Sequence, residues 1–80
     1  MIINFYTRKQ CQLCKDALLL LSLIQEDIPF HINEIDIDES DELTEKYGMM
    51  IPVIEMNGEV VQAGVIDPTI IEEQLQKHHN

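Results

Sequence analysis

The feature that most restricts this chain's fold is a helix-forming segment set between two strand-forming ones. Ile2 to Thr7 is rich in β-branched and aromatic residues, the composition of a buried strand. From Gln12 to Asp27 strong helix formers follow, with Ala17, Leu20, Leu21 and Ile24 along one face. Ile28-Pro29 stops that helix, because proline disfavours helical geometry at the residue before it. Phe30 to Asp38 then reads as a second strand. Two strands joined through a helix of this length cannot form a hairpin; they lie parallel, with a right-handed crossover. The chain is therefore expected to be an α/β protein.

The remaining pattern completes a small sheet. Ile35 and Ile37 share one side of the second strand, while Phe30 and Ile32 have the opposite parity, so a bulge or a change of environment is expected near Asn33. Ser40 can cap a short helix that uses Leu43 as its apolar contact and closes at Gly48. Pro52 to Met56 is a third strand, Asn57-Gly58 a strong hairpin signal, and Glu59 to Gln62 the returning fourth strand. Asp67-Pro68 caps and starts a last helix carried by Ile70, Ile71 and Leu75. The order is β-α-β-α-β-β-α, one domain over residues 1–80 with no repeat or linker. Leu18, Leu19 and Leu23 make the first helix's apolar face wider than one contact needs. Core packing is the expected use of Leu19 and Leu23, with a partner or a second copy as the alternative.

Charge narrows the function classes. Fifteen acidic residues against five basic ones give a net charge of −10, which excludes a nucleic-acid binder that works by neutralising phosphates. It also argues against an anionic membrane surface and favours a soluble monomer. The longest apolar run, Ala17 to Leu21, falls far short of the roughly 20 residues a bilayer requires. Met1-Ile2-Ile3-Asn4-Phe5-Tyr6 has no basic stretch before its apolar residues and no small-residue cleavage site after them, so a cytoplasmic address is expected. The acidic run from Glu34 to Glu45 lacks calcium-loop spacing and reads as a solvated face. His31 reads as a solvated or strand-edge residue, and His78-His79 as a complement to the last helix dipole.

Both cysteines fall in one motif, Cys11-Gln12-Leu13-Cys14. A bridge across it closes so short a loop that chain entropy supplies about 2 kcal/mol, against about 4.7 kcal/mol for a loop of about 100 residues. The pair is placed for chemistry rather than for stapling. It stands where a strand ends and a helix begins, and free amide N–H groups and the helix dipole stabilise an anion there. Arg8, Lys9 and Lys15, three of the five basic residues, crowd the same stretch. A free thiol with a pKa of about 8.5 is only about 3% ionised at pH 7, and both features enlarge that fraction at Cys11. Cys11 then attacks and Cys14, one turn deeper, resolves the mixed disulfide. Two other uses of the pair remain open: a half-share of a metal site completed by another copy, and idle thiols. Zinc normally takes four ligands, and no second pair exists in the sequence.

Phe5-Tyr6-Thr7-Arg8-Lys9-Gln10-Cys11-Gln12-Leu13-Cys14 resembles the Tyr-Thr-(Lys/Arg)-x-x-Cys-x-x-Cys opening of glutaredoxins. Ile51-Pro52-Val53 followed by Asn57-Gly58 is similar to their second signature, in which the proline is cis and faces the dithiol. The resemblance covers nearly the whole chain and is strongest to short bacterial glutaredoxin-like proteins. It implies a thioredoxin fold, with a four-stranded mixed sheet of order 2-1-3-4, three helices, and helices one and three on one face. It implies Cys11 as nucleophile and Cys14 as resolving thiol, with Ile51 offering its backbone to a substrate beside Pro52. Arg8 matches the residue that meets a glutathione carboxylate, and Asp67, beyond Gly64, is a looser match to the acid that meets the γ-glutamyl amine. Gln12 and Leu13 join the substrate-facing set, Leu13 as a contact for a protein substrate. The chain departs from the family in carrying Met50-Ile51 where Thr-Val is usual and Ala63-Gly64 where Gly-Gly is usual. Thioredoxins fit less well, since Phe5 stands at the position of their buried acid.

These features lead to the expectation of a dithiol thiol–disulfide oxidoreductase that binds no metal or organic cofactor. Its substrate is a disulfide-containing protein or a small thiol compound, and glutathione or a flavoprotein reductase recycles it. The alternative is a thioredoxin-fold module that binds a partner or senses oxidation without turnover.

Overall fold

The structure is a computed structural model and describes residues 1–78; His79 lies outside the described residues. Its elements are β1 (Ile2–Thr7), α1 (Gln12–Gln25), β2 (His31–Asp36), a 3-10 turn (Ile37–Glu39), α2 (Asp41–Tyr47), β3 (Val53–Met56), β4 (Glu59–Ala63) and α3 (Pro68–His78). The sheet order is β2-β1-β3-β4, with β1 and β2 parallel and the other pairs antiparallel. This is the thioredoxin fold. No helix among the described residues is long and apolar enough to cross a membrane.

Local chemistry sets the element ends. Past Gln25, the amides of Asp27 and Ile28 both bond to the Ile24 carbonyl, at 3.0 and 2.9 Å, so α1 closes two residues before the expected Asp27 and ahead of Pro29. Ser40 Oγ accepts the Leu43 amide at 3.2 Å and caps α2. Asn57 and Gly58 both take positive φ, 51° and 81°, the conformation that a two-residue turn needs to match strand twist.

Both faces of the sheet are covered, and this resolves the parity conflict in β2. Ile3, Phe5, Ile54 and Met56 pack with Cys14, Ala17, Leu21 and Ile24 of α1 and Ile71 and Leu75 of α3. Tyr6 and Val53 face the other way, against Tyr47 of α2 and Ile37. Phe30 and Ile32 belong to the first core, and Ile35 and Ile37 to the second. No bulge is needed near Asn33: β1 and β2 pair without interruption from Ile2↔His31 to Thr7↔Asp36. The irregularity lies instead in β4, where Ile54 opposes Gln62 but Glu55 opposes Val60, leaving Val61 as the extra residue.

Three further expectations are corrected. β2 stops at Asp36, whose Oδ1 accepts the Asp38 amide at 2.9 Å and turns the chain into the 3-10 segment. Leu19 and Leu23 are 64% and 54% exposed; the sheet and α3 cover one side of α1 only, and these two leucines lie on the other. Ile70 is 40% exposed, while Ile71 and Leu75 carry α3 into the core.

Candidate active site

Cys11 stands one residue before α1 with extended backbone, so its side chain folds back over the helix start. Its Sγ accepts the backbone N–H of Cys14 at 3.1 Å, filling the role that an oxygen plays at most helix caps. Cys14 occupies the first inward position of α1, followed along the same face by Ala17, Leu21 and Ile24. It is 2% exposed, whereas Cys11 is half-buried. A disulfide joins the two sulfurs. The sulfur nearer solvent is thus the one at the positive end of the helix, where a thiolate gains from an N–H donor and from the dipole.

The Ile51-Pro52 peptide is cis, and Pro52 is buried. Ile51 and Cys11 both pack against the first core. The Pro52 carbonyl accepts the Gly64 amide at 2.9 Å, which ties the segment after β4 to the proline loop. Gly64 has φ 79°, a conformation that a side chain would strain. Leu13 and Gly64, distant in sequence, line one cleft of about 190 Å3 with Asp16, Ala17, Leu20, Val65 and Ile66. Among the described residues a second cleft, of about 370 Å3, runs behind Cys14 between α1 and the edge strand β2.

The charge around the cysteines is mixed rather than basic. Arg8, Lys9 and Lys15 do line the second cleft, but Glu34, Asp36 and Glu39 face them across it. Arg8 Nε donates to Asp38 Oδ1 at 2.9 Å, a partly exposed pair worth at most about 1 kcal/mol. Gln12 Nε2 donates to Asp16 Oδ1 at 3.0 Å. The Ile51 amide, one half of the backbone pair expected to meet substrate, already donates to Tyr47 O at 3.2 Å. Asp67 caps α3 through Oδ1, which accepts the Thr69 amide at 2.9 Å.

Sequence reasoning missed Gln62. Its Oε1 accepts the Asp67 amide at 2.7 Å and its Nε2 donates to Asp67 O at 2.9 Å, so one side chain clamps the connection that carries Gly64 and Val65. Strand parity gave no signal for it, because the extra residue at Val61 puts Val60 and Gln62 opposite adjacent residues of β3 and so breaks the alternation. Also missed was a polar row across three strands. Asn33 donates to Asn4 Oδ1 at 3.0 Å, and Glu55 Oε1 accepts from Asn4 at 2.8 Å and from the Tyr6 hydroxyl at 3.2 Å. Burial, and then the neighbouring Glu55 carboxylate, push the Tyr6 hydroxyl's pKa up.

A family model described as Glutaredoxin-like domain (DUF836) matches residues 2–79. No curated protein matches the chain. Among solved structures, a Nitrosomonas europaea protein is 26% identical, with TM-score 0.79 and coverage of 90% of this chain and 87% of its own. A structural-genomics target protein from X. campestris is 24% identical, with TM-score 0.76 and coverage of 94% and 96%. A mutant thioredoxin from Halobacterium salinarum is 20% identical, with TM-score 0.70 and coverage of 99% and 74%. The last two likenesses concern the fold.

Proposed function

The chain belongs to the glutaredoxin-like domain family, and we propose that it is a dithiol thiol–disulfide oxidoreductase. The observation that carries this reading is the asymmetry of the pair: an outer sulfur on the helix N-terminus, bonded to an inner one that is 2% exposed. In the reduced protein the Cys11 thiolate attacks one sulfur of a substrate disulfide, forming a mixed disulfide and releasing the other sulfur as a thiolate. Cys14, once deprotonated, attacks Cys11 Sγ and expels the second substrate thiolate. The Cys11–Cys14 disulfide carries away the two electron equivalents' worth of oxidation. Two thiols, from glutathione or a flavoprotein reductase, return the pair to its reduced state.

In this reading Leu13, Gln12, Ile51, Pro52 and Gly64 border the incoming disulfide, with Arg8 and Asp67 at the periphery. The reading takes the chain to be cytoplasmic and monomeric, with a protein or small-thiol disulfide as substrate. Burial of Cys14 limits direct attack on it, which makes the order of the two steps a matter of access.

The test is trapping. Cys14→Ser, incubated with a disulfide substrate, should accumulate one mixed disulfide per chain at Cys11 by intact mass, and Cys11→Ser should accumulate none. Equal labelling of both variants, or of neither, contradicts the reading. Labelling of neither leaves a module that binds or senses without turnover.

A further inference from the structure

Resting on the oxidoreductase reading above, we infer that the cleft beside Leu13 is a specificity pocket for an apolar side chain flanking the substrate cysteine. The preferred substrate is then a polypeptide disulfide rather than a glutathione mixed disulfide. Two sets of observations converge on this.

The first is that the backbone amides a small peptide thiol would pair with are already engaged within the chain, and that its two charged candidates each spend one atom internally. Arg8 Nε is held by Asp38, and the Ile51 amide by Tyr47 O. The Gly64 amide is held by Pro52 O, and Asp67 Oδ1 by the Thr69 amide. Asp67's own amide and carbonyl are both taken by Gln62. Each of those backbone amides has a single proton, so a ligand that relied on Ile51, Gly64 or Asp67 N–H would have to break an internal hydrogen bond for each one it made, and the net gain per contact is small. The Arg8 Nη groups and Asp67 Oδ2 stay open to any charged partner and do not discriminate.

The second is the pocket itself. Its volume of about 190 Å3 suits a single aliphatic or aromatic side chain, and Leu13, Ala17, Leu20, Val65 and Ile66 give it an apolar lining around the Gly64 backbone. Its one carboxylate, Asp16, is bonded to Gln12. The pocket opens two residues from Cys11 in the same first turn of α1. Val65 and Leu13 on its rim are 81% and 47% exposed, so a side chain entering there removes their apolar surface from water as well as its own. The pocket keeps its shape because Gly64 is pinned to Pro52 and the segment behind it is clamped by Gln62.

The experiment compares three substrates that share one chromophoric thiol leaving group. Two are short peptides with a single cysteine flanked by leucine or by serine, and the third is glutathione. Burying one apolar side chain should make the leucine peptide about 10- to 100-fold better in kcat/KM than the serine peptide. It should also be better than glutathione. Val65→Ser and Leu13→Ser should each shrink the leucine-over-serine ratio, a comparison within one variant that does not depend on its overall activity. A flat ratio in the wild-type protein, or glutathione as the best substrate, overturns the pocket while leaving the oxidoreductase intact. No reaction with any of the three overturns both.

Discussion

Replacing Gln62 tests whether a single side chain holds the wall of the proposed pocket. Gln62→Ala removes two hydrogen bonds, of 2.7 and 2.9 Å, that join β4 to the residue capping α3. At a net value of about 0.5–1.5 kcal/mol each, reduced toward the lower half because the pair is near solvent, the loss is about 1–2 kcal/mol. For a domain of this size about 1 kcal/mol moves Tm by roughly 4–8 °C, so the variant should melt about 4–16 °C lower. Gln62→Met separates bonding from packing, since it keeps most of the volume and neither polar atom, and it should lose a similar amount. Thermal unfolding of the reduced proteins, followed by circular dichroism, gives the shifts. Amide hydrogen exchange adds the local readout: the Asp67 N–H, which donates to Gln62 Oε1, should exchange faster in both variants. A methionine variant that melts with the wild type and keeps Asp67 protected would refute the clamp.

Other perturbations test other layers. Ile54 is fully buried on a central strand between β1 and β4, so Ile54→Ala should cost about 2–5 kcal/mol in urea unfolding; a loss under about 1 kcal/mol would mean the core is not packed as described. Gly58 has φ 81° with open space around its Cα, so Gly58→Ala should cost about 1–2 kcal/mol from backbone strain alone, and an unchanged denaturation midpoint would contradict the turn. Tyr6 should ionise above its ordinary 10.0, and Glu55→Gln should lower the value only partway, because burial is the larger cause; ultraviolet titration reads both. Below pH 10 the hydroxyl is protonated in folded and unfolded chains alike, and above it the unfolded chain ionises first, so this group makes stability fall as pH rises. A Tyr6 that titrates normally, or one fully restored by Glu55→Gln, contradicts that account.

Much of the fold is legible locally, and the failures have a common cause. The β-α-β opening, the Asn57-Gly58 hairpin and the Ser40 cap each depend on a few adjacent residues whose backbone preferences agree. The odd parity of Phe30 and Ile32 against Ile35 and Ile37 was also visible, but only the presence of α2 on the second face of the sheet tells that both sets are buried. Leu19 and Leu23 look like core from composition and lie in solvent because no element covers that side of α1. At the site, the cysteine motif could be read from spacing, and Pro52 from the resemblance to glutaredoxins. The mixed charge could not, since Glu34, Asp36 and Glu39 reach the basic stretch across the β1–β2 register. Nor could the pairing of Arg8 with Asp38, thirty residues away. Gln62 was hidden for the same reason: its partners are backbone atoms that a sequence does not place.

The central claim is that Cys11 and Cys14 form an exchanging dithiol, and a redox titration tests it most directly. The protein is equilibrated in glutathione buffers of graded potential, its free thiols are trapped by alkylation, and intact mass gives the fraction in each state. The account expects one two-electron transition between dithiol and internal disulfide, at about −180 to −300 mV. Thiols that stay reduced across the whole series, or glutathione adducts that never convert to an internal disulfide, would contradict it.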